Sequence, residues 1–429
     1  MSNTIQYVKQ YANVTFDQMP LNAIDILILT EIGYLEFEDI ISNSLDQRQG
    51  RTLKEAADLY MTVKDERLKN NWVLNTKNRV TLLSEAGQVK RYESIYMYGY
   101  VNEIDLEIQK QFSAIMYGGL PDGVILAFRG TDDTLIGWKE DFQMTYLKKI
   151  PSQESAKEYL QKLVDVGQEP FIITGHSKGG NLAVYAAATA KRQVQKQLQA
   201  VFSFDGPGTN KTLVQSRGYQ AIRDKIHAFI PQDSVVGKML ESDVVATVVK
   251  SNALGLIQHN SFTWQIKDNK FVELPETTKS SAEIDKTLTT WMYSLSDEEL
   301  KEFFDIFFGL LFQTGVKTLG DVSADIFKTL QAVLNESRQL DDNKREMMIR
   351  IARLLFDTRY EVWADNFKKQ VESLGLSNFE LPQVDLAAMN PVDKLLPKKT
   401  GNIKLNPELS EESERLRLEY QKKGKEMKN

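Results

Sequence analysis

A ten-residue segment, Phe171 to Gly180, constrains the fold of this chain more than any other. It reads FIITGHSKGG and is followed by the small-residue run NLAVYAAATA. A β-type run, then G-x-S-x-G, then a helix of small residues is the context of a nucleophile elbow, a sharp strand-to-helix turn with a serine at its tip. Gly175 and Gly179 permit that turn and the close approach of strand and helix. The alternative is a Gly/Ser turn that only joins a strand to a helix, and the flanking sequence favours the elbow.

The elbow predicts that Ser177 is a nucleophile. A serine hydroxyl is a weak nucleophile at neutral pH and needs a base, nearly always a histidine that a carboxylate orients. The chain has three histidines. His176 lies inside the elbow, where its side chain is expected to point away from the serine hydroxyl, and His227 lies in the apolar run IHAFI, which is typical of a packed strand. His259, on a predicted loop in QHNSFTW, is therefore the expected base.

Two aspartates compete for the orienting acid. Asp233 follows the apolar run HAFIP directly, so it is expected at the carboxyl edge of the sheet, where catalytic groups gather in open α/β folds. The order Ser177, Asp233, His259 is that of an α/β-hydrolase triad. Asp205, in FSFDGPG after the preceding run, is the rival, with a turn-forming role as its alternative. The sequence favours Asp233.

Acyl transfer also requires backbone N–H groups aimed at the developing oxyanion. One donor is expected to be the N–H of Lys178, which follows the nucleophile. The other is expected from an earlier strand-to-helix loop, and Val124 to Phe142, VILAFRGTDDTLIGWKEDF, has that place in the chain.

Short apolar runs around the elbow predict the fold class. FSAIMYG and VILAFRG are joined by the turn sequence GLPDG, and FIIT, VFSF and IHAFI follow, with a helical pattern over residues 181–199. Strands that alternate with helices predict an α/β fold with a mostly parallel central sheet covered on both faces. A hairpin is predicted over Phe262 to Leu274, with its turn at Asp268 and Asn269.

Apolar spacing predicts helices on both sides of this sheet region. Helices are expected over residues 21–35 and 53–68, and then over 288–300, 303–312, 324–334 and 344–356. Strand-like runs stop at Pro275, and prolines and a charged end follow Pro382. We therefore predict an α/β-hydrolase domain over 1–275, a helical appendage over 276–380, and a proline-containing linker with a charged tail over 381–429.

Charge and composition exclude several classes of function. Lys plus Arg number 53 against 59 Asp plus Glu, a net charge of −6, which gives no general attraction to nucleic acid. The absence of cysteine excludes disulfides and thiol nucleophiles. The first 20 residues are polar, unlike a signal peptide, and the apolar stretch Phe303 to Val316 is shorter than a membrane span. These features predict a cytoplasmic protein, with peripheral membrane contact as an alternative.

Several motifs together resemble a known family. FRGTDD with Trp138 and Asp141 downstream, GHSKGGN, an Asp after a later strand and a final His are similar to the class 3 lipase group of α/β-hydrolases. They resemble more closely the bacterial lipase-like proteins whose elbow reads GHSKGGNLA. The segment LNAIDILILTEIGYLEFEDI is also similar to the N-terminal segment of that bacterial group. The resemblance covers about residues 20 to 275 and implies an α/β-hydrolase fold and an esterase activity.

The resemblance also implies roles for residues of this chain. These are a catalytic triad of Ser177, Asp233 and His259, oxyanion donors at Thr131 and Lys178, and bracing of the oxyanion loop by Arg129 and Asp141. Lys178 departs from the apolar residue that usually follows a lipase serine. It would either give the pocket a polar rim, favouring a phospholipid or lysophospholipid, or form a salt bridge on the first turn of the helix.

Two hypotheses for function follow. The first is a serine hydrolase of carboxylic esters, lipid esters above all, which needs no metal and no organic cofactor. The second is a catalytically silent α/β-hydrolase fold that binds a partner through its helical appendage. Asp132 and Asp133 are more typical of a turn than of a metal site. The segments VVGKML and VVATVV and the phenylalanines of 303–312 fit either packed structure or contact with a lipid surface.

Overall fold

The computed structural model describes residues 2–70, 75–105, 107–108, 110–121, 123–131, 135–166, 170–313, 340–352, 354–355 and 358. The described residues fall into two compact units, one up to Ala282 and one from Glu283 onwards. The predicted tail over 381–429 and the predicted helix over 324–334 lie outside the described residues. The predicted domain boundary at residue 275 stays a prediction.

The helices and strands are as follows, in chain order. Helices α1 to α12 span Thr4–Gln10, Ala23–Ile32, Leu53–Asn70, Thr76–Ala86, Leu135–Gln143, Pro151–Asp165, Lys178–Thr189, Arg192–Gln197, Lys211–Val214, Arg217–Ile222, Lys279–Tyr293 and Asp297–Gln313. Strands β1 to β11 span Arg51–Thr52, Tyr96–Asp105, Lys110–Leu120, Gly123–Phe128, Phe171–His176, Leu198–Phe204, Ile226–Pro231, Thr247–Val249, Ile266–Lys267, Lys270–Phe271 and Glu273–Leu274.

Nine strands form one mixed sheet in the order β1-β2-β3-β4-β5-β6-β7-β8-β11. The run from β4 to β8 is parallel, whereas β1 to β4 pair antiparallel, as do β8 and β11. The predicted α/β class is confirmed. The sheet is only half parallel, however, because β2, β3 and β4 form an antiparallel meander before the first crossover, and the sequence prediction missed β2.

Successive side chains of each strand point to opposite faces of the sheet, and the apolar ones form two hydrophobic cores, one on each face. In β3, Ile115 and Tyr117 pack into one core, while Ala114 and Met116 pack into the other. The first core also contains residues of α2, and the second contains residues of α6 and α7. Strands buried on both faces read as continuous apolar runs, which is why their sequences lack a polar side.

A buried ion pair anchors α2 beneath the first core. The Arg91 guanidinium donates to Asp25 through Nε at 2.8 Å and Nη2 at 2.6 Å, and the Tyr92 hydroxyl donates to Asp25 at 2.8 Å. Both charged side chains are fully buried. Isolated charges are costly in an apolar interior, so this pairing fixes where α2 lies against Lys90–Tyr92, the short 3₁₀ turn that carries Arg91.

The predicted hairpin is present, but it stands apart from the main sheet. Strands β9 and β10 pair antiparallel across a turn at Asp268 and Asn269 and form a separate two-stranded sheet. The apolar segment VVATVV, which fitted a lid or packed structure, contributes β8 to the main sheet. The second half of that segment, β8, is therefore packed in the sheet, whereas Val245, which precedes the strand, is exposed.

The second unit is helical in its described part. Helices α11 and α12 are separated at Ser294–Ser296, and residues 342–352 are also helical. The predicted break near residue 301 is wrong, because Ser296 and Glu299 form a capping box: each side chain accepts from the other residue's backbone N–H, which starts α12 there. Phe303, Phe304 and Phe308 are buried, so this run packs as core. Within the described ranges, no helix combines the length and apolar character of a membrane span.

Close packing of β5 against α7 requires glycine at two positions. A Cβ atom on Gly175 would lie 2.1 Å from the backbone of Gly179, and a Cβ on Gly179 would lie 2.2 Å from the carbonyl oxygen of Phe128. No side chain fits at those distances. Gly175 therefore allows β5 to contact the backbone of α7, and Gly179 allows α7 to contact the backbone at the end of β4.

We expect Gly175→Ala to destabilise the fold by about 3 kcal/mol or more, because the added methyl would meet backbone rather than a movable side chain. Gly309→Ala is the matched control, since open space surrounds Gly309 in the middle of α12. It should stabilise its helix by up to about 1 kcal/mol. Urea unfolding followed by circular dichroism measures both; equal midpoints for Gly175→Ala and the unaltered protein would contradict the packing argument.

Candidate active site

Ser177 lies at the tip of the turn between β5 and α7. Its backbone is in an unusual conformation for a residue with a side chain, φ 58° and ψ −133°. Its N–H donates to the carbonyl oxygen of Phe204 at 2.9 Å, which ties the elbow to the end of β6. Strained backbone of this kind concentrates at functional sites and persists only where surrounding contacts enforce it. The predicted elbow geometry is therefore present around Ser177.

His259 and Asp205 form a close pair beside this elbow. The His259 Nδ1 lies 2.7 Å from Asp205 Oδ2. Asp205 follows β6 directly, is 1% exposed, and accepts at Oδ1 from the Ser234 hydroxyl at 2.6 Å and from the Gly237 N–H at 3.1 Å. Three donors thus hold the carboxylate, and Nδ1–H of the neutral ring faces it. That tautomer carries its lone pair on Nε2, the atom that accepts a proton in a serine hydrolase.

The expectation that Asp233 pairs with His259 is wrong in this structure. The Asp233 carboxylate instead accepts from Gln258 Nε2 at 2.5 Å and from the Thr278 hydroxyl. Both Asp205 and Asp233 follow parallel strands, but Asp205 follows β6, the direct neighbour of the strand that leads to Ser177, and Asp233 follows β7, one strand further away. Asp205, which the sequence analysis ranked second, is therefore the carboxylate that faces His259.

The other two histidines lie in different surroundings. His176 is buried, and its burial lowers the pKa to about 4 despite the opposing effect of nearby Glu31, so the ring is neutral. Its ring stacks on that of His259 at a centroid distance of 4.7 Å. His227 is a strand residue as expected, but it is exposed on β7, where it stacks on Phe202.

Thr131 lies on the loop after β4, which packs directly against the elbow. A Cβ on the preceding Gly130 would lie 3.1 Å from the Cβ of Ser177. The Thr131 hydroxyl lies 2.8 and 2.7 Å from the two carboxylate oxygens of Asp141. Burial raises the pKa of Asp141 to about 7. When Asp141 is ionised, the Thr131 hydroxyl donates its proton to that carboxylate.

Arg129 ties the same loop to the meander. Its N–H donates to the Ser113 carbonyl oxygen at 3.0 Å, and its Nη2 donates to Asn102 Oδ1 at 2.7 Å. These two hydrogen bonds hold the start of the loop against β3 and β2. Asp132 and Asp133 lie outside the described residues, and among the described residues no group of metal-binding side chains is present.

Lys178 does not lie on a pocket rim. Its side chain is fully buried, and Nζ donates to Glu140 Oε2 at 2.5 Å and to the Gln111 carbonyl oxygen at 3.0 Å. The salt bridge considered from the sequence is present, but its partner comes from α5 and not from the first turn of α7. The Lys178–Glu140 ion pair joins the first residue of α7 to α5. The next residue of α5, Asp141, accepts from the Thr131 hydroxyl, so α5 contacts both segments. The N–H of Lys178 is at a helix start, where backbone donors have no acceptor within the helix.

Sequence reasoning did not find Glu140, Glu31 or Tyr34. A signal existed for Glu140: a lysine in a helix that is otherwise of small apolar residues needs a buried counter-charge, and the oxyanion segment supplies carboxylates. No comparable signal existed for Glu31 and Tyr34, which lie more than a hundred residues before the elbow and reach His176 only through the packing of α2.

Comparison with known proteins places the chain in a family. A family model described as Mbeg1-like matches residues 86–309, just over half of the 429 residues. The chain belongs to the Mbeg1-like family. Membership agrees with the α/β fold, while the class 3 lipase group and the GHSKGGNLA subgroup stay predictions.

Solved structures add a more distant likeness. The chain is similar to a protein described as "Crystal structure of M37 lipase", at 16% identity and a TM-score of 0.30, over 50% of this chain and 67% of that chain. A likeness this distant carries no argument about activity. A search of curated proteins finds no match.

The neutral state of His176 predicts a pH dependence of stability. Its pKa is about 4 in the folded protein and near 6.5 when unfolded, so the unfolded chain binds more protons between those values. Folding stability should therefore fall as pH falls from about 6.5 to 4, by on the order of 3 kcal/mol. His176→Gln keeps a donor and removes the titration, so its urea-unfolding free energy should fall less over this range. Parallel curves for the two proteins would disprove the assignment.

Proposed function

We propose that this protein is a serine hydrolase of carboxylic esters, with Ser177 as nucleophile, His259 as base and Asp205 as orienting acid. The observation that carries the proposal is the His259–Asp205 hydrogen bond beside a strained serine at the end of β5. A histidine whose Nδ1 faces a buried carboxylate is held in the tautomer that base catalysis needs. The family match and the elbow sequence support the same reaction class.

The reaction proceeds by acyl transfer through the residues already described. His259 Nε2 takes the proton of the Ser177 hydroxyl as its oxygen attacks the ester carbonyl carbon. The tetrahedral oxyanion is held by the N–H groups of Lys178 and Thr131. The imidazolium then protonates the departing alcohol, which leaves an acyl-enzyme. A water molecule, deprotonated by His259, attacks the acyl carbonyl and releases the acid and Ser177.

Apolar side chains near the base favour a substrate with an apolar part. The short helical turn before His259 exposes Leu254 at 78% and Ile257 at 57% of their surface. Exposed apolar residues grouped beside a reactive centre are typical of a surface that meets an apolar ligand. The burial of Lys178 removes the argument for a charged head group, so the preferred substrate class is an uncharged ester with an apolar acyl chain.

Replacing the two aspartates separately tests the acid. We expect Asp205→Asn to lower kcat for p-nitrophenyl butyrate by about 10³- to 10⁴-fold, because the amide cannot hold His259 in the required tautomer. Asp233→Asn is the matched control, since the same change one strand away should leave kcat within about fivefold. The reverse ranking would restore Asp233 as the acid.

Labelling with a fluorophosphonate tests the reaction class itself. Mass spectrometry should find the label on Ser177, and Ser177→Ala and His259→Ala should abolish it, because the probe reacts only with an activated serine. A folded protein that takes up no label and hydrolyses no ester would instead support the silent, partner-binding alternative.

A further inference from the structure

A buried polar cluster connects α2 to the loop that carries His259. We call it the Glu31 cluster; its members are Glu31, Tyr34, Arg79, His176 and Ser261. Glu31 lies near the end of α2, in the N-terminal segment LNAIDILILTEIGYLEFEDI, and Ser261 lies two residues after His259. The proposed reaction gives this N-terminal segment no part, although the sequence singled it out.

Glu31 is the centre of the cluster. Its Oε2 accepts from Arg79 Nε at 2.8 Å, and its Oε1 accepts from the Ser261 hydroxyl at 2.7 Å. The side chain is almost fully buried. Burial alone would raise the pKa of Glu31, but the Arg79 guanidinium above all, together with the hydrogen bond from the Ser261 hydroxyl, holds that pKa below its usual value. The carboxylate is therefore ionised, and it needs its donors because an ion without partners is costly inside a protein.

His176 supplies a second connection, at the backbone carbonyl of His259. Its Nε2 lies 2.9 Å from the carbonyl oxygen of His259, so Nε2 carries the proton and donates it. Nδ1 then has a lone pair, and the Tyr34 hydroxyl lies 3.0 Å both from Nδ1 and from the His176 carbonyl oxygen, with one proton to donate between them. A neutral ring with this tautomer holds the backbone of His259, while the ring stacking holds its side chain.

These contacts fix His259 at two points. The His176 ring holds the carbonyl of His259, and the Glu31 carboxylate holds the hydroxyl two residues later. Asp205 sets the rotation of the His259 ring, but it cannot set the position of the backbone from which that ring extends. A displacement of about 1 Å between reacting groups can cost about 100-fold in rate, so the backbone position matters for catalysis.

We propose that Glu31 and His176 are positioning residues for His259: α2 supplies a buried carboxylate that holds the base's loop at Ser261, and the elbow histidine holds it at the His259 carbonyl. This inference rests on the proposed function and extends it, since it gives the N-terminal helix a part in the reaction. Neither residue contacts the reacting atoms; each acts through the placement of the His259 backbone.

The chain contains a matched control on the same helix. Asp25 and Glu31 are both buried carboxylates of α2, and each pairs with a buried arginine, Arg91 and Arg79 respectively. Asp25 lies at the start of the helix and makes its contacts with Arg91 and Tyr92, away from the site. Glu31→Gln and Asp25→Asn therefore remove the same charge from equivalent pairs, and only one pair adjoins His259.

The experiment measures kcat, KM and the rate of fluorophosphonate labelling for the full chain and its variants, with thermal unfolding alongside. Glu31→Gln and Ser261→Ala are each expected to lower kcat by about 10- to 100-fold, with KM changed by less than about twofold. Asp25→Asn is expected to lower the melting temperature while kcat stays within about twofold. The double variant Glu31→Gln/Ser261→Ala should lose no more activity than the worse single variant, since both remove one connection.

Each outcome decides the proposal. Equal kcat values for Glu31→Gln and Asp25→Asn would overturn it while the proposed function stands. If Glu31→Gln fails to fold, Ser261→Ala decides alone, because it leaves the Glu31–Arg79 pair intact; an unchanged kcat in that variant overturns the proposal. If the unaltered protein and Ser177→Ala are equally inactive, the proposed function fails and the positioning role falls with it.

Discussion

Contact between the backbones of β5 and α7 is the constraint on which the rest of this structure depends. The two elements approach so closely at Gly175 and Gly179 that neither position has room for a side chain. This approach forces the turn between them to be sharp and places Ser177 in a backbone conformation that few side chains adopt. The loop that contains Gly130 packs against this turn. The backbone N–H of Ser177 donates to the carbonyl oxygen of Phe204, at the end of β6.

Charge burial organises the surroundings of the elbow. Among the residues that the structure describes, the interior of the first unit contains the ion pairs Asp25–Arg91, Glu31–Arg79 and Glu140–Lys178. Such pairs seldom add much net stability, because desolvation offsets their attraction, but a mispaired alternative leaves a charge uncompensated and costs several kcal/mol. Each pair joins segments that are distant in the chain. They therefore favour one arrangement, with α2 against α4 and the turn that carries Arg91, and with α5 against the start of α7.

The sequence was informative where the chemistry is local and uninformative where it depends on strand order. Ser177 and its glycines follow from a contiguous motif, and the strands β3 to β7 follow from apolar runs. His259 follows from the scarcity of histidine. The sequence analysis preferred Asp233 to Asp205 as the partner of His259, and that preference was wrong, because each aspartate follows a strand and only the order of the strands beside β5 distinguishes them. Strand β2 was missed because its second half, VNEID, is polar and largely exposed.

The separation along the chain of Glu31 and Ser261, 230 residues, has a consequence for synthesis. Ribosomes add roughly 5 to 20 residues per second, so roughly 10 to 50 seconds pass between the appearance of the carboxylate and that of its hydroxyl partner. Until residue 261 has been made, α2 lacks this hydrogen-bond donor, and its apolar side chains are covered only as the strands that follow it in the chain appear. His259 can therefore reach its place against Asp205 and His176 only after the strands up to β8 have been made.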